Sequence, residues 1–229
     1  MMIQKAKCLV EELMKNDNSG HGMEHINRVF DLSMKFAGKE KCNRDIVGLI
    51  ALLHDVDDYK LFGNENQKNL TNTNLILEKI GADEFTKEQV VSQVAKMGYS
   101  KALKENRPTT VEGMIVSDAD MCDAIGANGI LRTCQYEFKH GKPFFDKNIW
   151  PMEDVNSNTY IRKCSESVVC HMFEKILRLK DLIFTEAGKR EAEQRHNFVI
   201  NFLRQLFKEE NTIEWDHYLD KFLEKINMF

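Results

Sequence analysis

Residues able to do chemistry gather in three short segments of this chain. The first is DIVGLIALLHD, where His54 and Asp55 close a run that includes Ile46, Val47, Leu49, Ile50, Leu52 and Leu53. An imidazole and a carboxylate at the end of a buried helix need partners, because a buried polar group left unpaired costs about 1–3 kcal/mol. Either His54 bonds a backbone carbonyl and Asp55 caps a neighbouring helix, or both are metal ligands. The second segment is GHGMEHINRV, in which His21 and His25 lie four apart and Arg28 follows three later. On a helix all three share a face. That pattern fits a metal beside an anion, but alone is more often a surface pair. The third is SDADMCDAIG, which crowds Asp118, Asp120 and Asp123 into an otherwise apolar stretch. Asp120 and Asp123 share a helix face, and clustered carboxylates repel unless a cation or solvent relieves them. The two readings are a cation site and a helix half in water.

Helices must position these groups. The chain has three prolines, Pro108, Pro143 and Pro151, so long segments lack breakers. Apolar residues recur at three and four, which predicts helices at about 2–16, 22–37, 44–55, 68–80, 86–97, 109–124, 127–139, 159–183, 185–209 and 213–228. The helix at about 44–55 is apolar almost all round, which marks it as central and buried. DDYKLFGNENQK reads as a loop. Thr86 and Gln89 have capping-box spacing at a helix start. Phe198, Val199, Phe202, Leu203, Leu206 and Phe207 form a helical seam. No repeat or linker interrupts the chain. The expectation is an all-α, single-domain helical bundle over 1–229, with its core at about 15–210 and an irregular insertion at about 140–158.

Composition limits the partners. Hydrophobic residues make up 42% and charged residues 30%, enough apolar material for a core that can hold a buried site. The net charge is -4 and no Lys/Arg run exceeds two residues, which argues against a duplex nucleic acid as partner. A small anionic substrate remains compatible, since a few cations in one pocket suffice. The amphipathic N-terminus lacks the apolar run of a secretion signal, and no stretch nears the roughly 18 apolar residues of a membrane span. Six cysteines without C-x-x-C spacing read as reduced thiols. A cytoplasmic protein is expected, with no membrane partner. The long C-terminal helices could pack internally or form a homodimer seam, and both stay open.

Taken together, the three segments resemble the HD-domain phosphohydrolase superfamily, whose pattern is H…HD…D on separate helices of one bundle. The matching positions are His25 in H-x-x-R-V, His54 and Asp55 in L-L-H-D, and Asp120 in D-A-D-x-x-D-A. The likeness extends to small stand-alone bacterial members through ANGILRT and the run HMFEKILRLKDLIFTEAGKREAEQRHNFVINFL, covering roughly 15–210. It implies one divalent metal held by His25, His54, Asp55 and Asp120. Two imidazoles with two carboxylates suit Mn²⁺, Fe²⁺, Ni²⁺, Co²⁺ or Zn²⁺, with Mg²⁺ also admitted, better than Ca²⁺. Such an ion lowers the pKa of a water towards about 7 and polarises a phosphoryl oxygen. By the same resemblance Asp58 is the general acid/base, with loop capping as the alternative. Arg28 and Lys60 are the expected phosphate ligands. His21 and Asp118 are supporting candidates, and His171 and Lys175, four apart, either reach the pocket or simply pair on their helix.

Departures narrow the expectation. No histidine lies between Asp55 and Asp120, which disfavours a two-metal centre. Asp57 and Asp58 stand two and three after Asp55. Alarmone-hydrolase relatives place Glu-Asp at three and four, so that activity is disfavoured. No Gly-rich phosphate loop, G-x-S-x-G or H-E-x-x-H is present. The leading expectation is hydrolysis of a phosphate mono- or diester, nucleotide-like, by a metal-activated water. The alternatives are a nucleotide- or phosphate-binding regulatory module with an intact metal pocket and little turnover, and a helical scaffold without metal.

Overall fold

The computed structural model describes residues 2–15, 22–152 and 165–227. Its regular structure there is helical, as the apolar spacing predicts. The helices are α1 (Met2–Met14), α2 (Met23–Ala37), α3 (Arg44–Leu53), α4 (Tyr59–Asn69), α5 (Thr71–Lys79), α6 (Glu84–Val94), α7 (Tyr99–Ala102), α8 (Val111–Asp123), α9 (Gly126–Lys139) and α10 (Val168–Glu174). A 3-10 segment (Ile176–Leu182), α11 (Glu186–Glu209) and α12 (Ile213–Asn227) complete the described elements. Two compact units are formed, Met1–Asp123 with Phe184–Gly188, and Ala124–Ile183 with Lys189–Phe229.

In the first unit α3 is the central element. Every residue from Ile46 to Leu53 is buried, and the helix packs against α1, α2, α6 and α8. Gly48 leaves room for α1 and α2 against α3: a Cβ there would sit 2.8 Å from Ile3 Cδ1 and 3.2 Å from Phe30. The helix starts where it does because the Asn43 side chain accepts from the amides of Asp45 and Ile46, at 3.0 and 3.3 Å. Asn43→Ala removes that acceptor and is expected to lower unfolding free energy by about 1 kcal/mol, measurable by urea titration. α2 and α8 pack on each other and on α3. Each presents an apolar face interrupted by polar groups: His25 on α2, and Asp118 and Asp123 on α8.

Four local expectations are corrected. The stretch read as a loop contains α4, kinked where Gly63 adopts φ 85° and ψ 164°. Its polar composition carries no apolar period, yet the amides of Leu61 and Phe62 bond the Asp58 carbonyl and start the helix. α6 begins at Glu84, capped by Asp83, whose carboxylate accepts from the Thr86 amide at 2.7 Å. Thr86 is therefore inside the helix and is not its cap. The expected helix at about 159–183 is interrupted over its described part: α10 ends at Lys175, with φ -131° and ψ -62°, and a 3-10 segment follows. Residues 159–164 lie outside the described residues. Phe198, expected in the α11 seam, is 50% exposed, while Val199, Leu203 and Phe207 are buried.

The second unit is organised on aromatic packing. Trp215 of α12 is fully buried, stacks on Trp150 at 4.3 Å and 4°, and donates its Nε1–H to the Lys147 carbonyl at 3.1 Å. Phe145 meets the same indole edge-on. The irregular stretch after α9 is thus tied to α12 through Phe145, Lys147 and Trp150. Among the described residues no helix is long and apolar enough to cross a membrane.

Candidate metal centre

α2 contributes His25, α3 ends on His54 with Asp55 next in the chain, and α8 contributes Asp120 and Asp123. The fold brings the first four together. His25 Nε2 lies 3.0 Å from His54 Nε2, 3.3 Å from Asp55 Oδ2 and 3.5 Å from Asp120 Oδ1. His54 Nε2 lies 3.6 and 3.9 Å from the same two oxygens. The ligand atoms of His25, His54 and Asp120 all fall within 4.8 Å of one another. Both imidazoles are buried, and Asp55 and Asp120 are partly exposed, so the cluster has a dry floor and a wetter side.

The far edges of the two rings decide what this cluster is built to hold. His54 Nδ1 is 2.8 Å from the Ala51 carbonyl. A carbonyl only accepts, so Nδ1 carries the hydrogen. His25 Nδ1 is 2.8 Å from Asp123 Oδ2, again an acceptor. Each neutral ring then presents a lone pair at Nε2, and these two lone pairs point at one another over 3.0 Å beside two carboxylates. While both rings are neutral, neither can donate to the other. Four electron-rich atoms so placed fit a cation. Two ligands at about 2.1 Å from one metal and at right angles are about 3.0 Å apart. The residues therefore fit a divalent metal.

Asp123 is the group that sequence reasoning left out of the site. Its carboxylate accepts from His25 Nδ1 and from Arg28, whose Nε and Nη2 lie at 2.7 and 3.0 Å. That hydrogen-bonded carboxylate holds the Arg28 guanidinium above its ordinary pKa against the opposing effect of burial. The guanidinium edge expected to grip a phosphate is therefore bonded to Asp123. The signal that could have found Asp123 was present in its three-residue spacing from Asp120.

Asp118 is wholly buried, and its oxygens accept from the amides of Phe184 and Thr185 and from the Thr185 hydroxyl, at 2.8, 2.7 and 2.7 Å. Burial pushes its carboxyl pKa up, while these donors and Arg107 oppose the rise. It anchors the start of α11. Asp57, buried, caps α5 by accepting from the amides of Asn72 and Thr73, at 2.8 Å each. Asp57 thus makes a helix cap beside Asp55. Asp58 lies on the turn after Asp55, its amide bonding the Asp55 carbonyl at 3.1 Å, and its charge acts on Lys101. Burial lowers the Lys101 pKa, which Asp58 partly offsets. His21 and the side chain of Lys60 lie outside the described residues. His171 and Lys175 belong to the second unit, where His171 Nδ1 pairs with Glu137 Oε1 at 2.7 Å and the Lys175 amide bonds the His171 carbonyl at 2.9 Å.

An all-helical chain carrying H…HD…D on converging helices defines a class, and comparison agrees: the HD domain family matches residues 22–125, and the chain belongs to that family. Uncharacterized protein YpgQ of Bacillus subtilis (strain 168) is 31% identical over 209 residues, spanning 90% of this chain and 92% of that protein. Its crystal structure in complex with ADP superposes with a TM-score of 0.65 at 28% identity, over 89% of this chain and 97% of that one. An HD-superfamily hydrolase from Bacillus thuringiensis is 32% identical with a TM-score of 0.70, over 91% and 96% of the two chains. A Lactobacillus plantarum protein reaches a TM-score of 0.81 at 27% identity, over 92% and 97%.

Proposed function

We propose that this protein is a metal-dependent phosphohydrolase that cleaves a phosphate mono- or diester of a small, nucleotide-like molecule. The observation that carries the reading is the pair of facing imidazole lone pairs of His25 and His54, flanked by Asp55 and Asp120. These four residues would hold one divalent ion, with Mn²⁺, Fe²⁺, Co²⁺, Ni²⁺ and Zn²⁺ suiting the mixed donors. The bound ion supplies an acidified water and polarises a phosphoryl oxygen. Ala51 and Asp123 orient the two rings. Asp58 is assigned to move the proton, standing one turn after Asp55 at the partly exposed side. A nucleotide-like substrate is supported by the ADP complex of the related YpgQ, and a cytoplasmic setting is part of this reading.

The test is a panel of nucleoside mono-, di- and triphosphates and simple phosphate esters, offered to protein loaded with Mn²⁺, Co²⁺ or Ni²⁺. Release of phosphate or pyrophosphate that stops on chelation is expected. Tight ADP binding with no turnover of any ester would make the protein a binding module instead. Equal metal content in the wild type and Asp55→Ala, with no turnover, would end both readings.

A further inference from the structure

We infer that Asp123, clamped by Arg28, is the positioning residue that aims His25 at the metal, and that this pair sets the affinity of the site for its ion. The inference rests on the metal-centre reading above and names the part of the fold that tunes it. Asp120 and Asp123 lie three apart on α8 and meet opposite edges of one ring: Asp120 Oδ1 is 3.5 Å from Nε2, and Asp123 Oδ2 is 2.8 Å from Nδ1. A single helix turn thus both supplies a ligand and fixes the neighbouring one. Asp123 is 1% exposed, so its charge needs an internal counter-ion. Arg28 provides it through two bonds, one to each carboxylate oxygen, and Arg28 stands on the same helix as His25. The guanidinium therefore grips the carboxylate at both oxygens, a two-point contact that a point-charge ammonium does not reproduce. Without the carboxylate, the charged acceptor that favours Nδ1 over Nε2 as the protonated nitrogen of neutral His25 is lost. The lone pair would then be divided between the cluster and the wrong side of the ring. Partners of this kind behind a ligand histidine are worth about 10–100-fold in metal affinity.

Two measurements test this. Mn²⁺ is titrated into chelator-stripped protein and free Mn²⁺ is read by electron paramagnetic resonance, for the wild type, Asp123→Ala, Asp123→Asn, Arg28→Lys and His25→Ala. The tautomer of neutral His25 is read by ¹⁵N NMR in the metal-free protein. Wild-type His25 is expected to carry its proton on Nδ1, and Asp123→Ala to populate the Nε2-protonated form. Asp123→Ala is expected to weaken Mn²⁺ binding about 10–100-fold, with Arg28→Lys and Asp123→Asn between it and the wild type. If Asp123→Ala does not fold, Asp123→Asn carries the comparison, and wild-type affinity in it overturns the inference. So does an Nε2-protonated His25 in the wild type, or wild-type Mn²⁺ affinity in folded Asp123→Ala. Unchanged Mn²⁺ binding in His25→Ala is a different result: it removes the metal centre itself, whatever Asp123 does.

Discussion

His54→Ala is expected to lower kcat/KM for the best phosphate ester by more than about 100-fold at a fixed, limiting concentration of Mn²⁺, because a direct ligand should matter at least as much as a group behind one. The substitution deletes one of two facing nitrogens and leaves His25 Nε2 opposite a void, with Asp55 and Asp120 as the remaining donors nearby. Its cost is specific to the site. The bond from His54 Nδ1 reaches the Ala51 carbonyl at a helix end, where loss of one partner is worth about 1 kcal/mol of stability. Part of the loss should return when the Mn²⁺ concentration is raised, since the defect lies in affinity. A kcat/KM within tenfold of the wild type at limiting metal would take His54 out of the centre.

The largest effect on stability is expected at Asp118. Asp118→Ala strands two backbone amides and the Thr185 hydroxyl around a wholly buried position. At about 1–3 kcal/mol for each buried group left unpaired, the loss should reach about 3–5 kcal/mol, read as a lower urea midpoint at unchanged slope. Thr185→Val removes only the hydroxyl, which also accepts from the Gly188 amide at 3.0 Å, and should cost about 1–2 kcal/mol. Mn²⁺ affinity of folded Asp118→Ala should match the wild type. That result separates an anchor of α11 from a ligand on the same helix as Asp120, and loss of affinity in a folded variant would move Asp118 into the metal centre.

What the sequence made visible depended on contrast. His54 and Asp55 stood out because they end an uninterrupted apolar run, and the fold places that run at the centre of the first unit. His25 and Asp120 became legible only together, as parts of a pattern spread over separate helices. Asp118, Asp120 and Asp123 look alike in sequence, yet one anchors a distant backbone segment, one faces the cluster and one grips a histidine and an arginine. Nothing local separates those roles, since each is set by what packs opposite α8. Arg28 shows the same limit: a guanidinium fork near a metal suggests phosphate, and only the fold reveals a carboxylate already in its grasp. The interruption at Lys175 went unseen because that segment contains neither glycine nor proline. There the chain leaves α-helical geometry while Arg178 Nε bonds the Phe173 carbonyl at 3.0 Å. Likewise α4 has no apolar rhythm to announce it.

The facing lone pairs of His25 and His54 also bear on how the protein melts. A divalent cation shared by His25, His54, Asp55 and Asp120 would draw these electron-rich atoms to one point. The cation would do so while riveting α2 to α8, whose contacting residues His25 and Asp123 stand 98 positions apart along the chain. Any ligand that binds the folded form alone raises its melting temperature with concentration. Thermal denaturation thereby becomes a gauge of site occupancy that needs no knowledge of the substrate, and ranking ions by the shift each produces would order their fit to these four side chains.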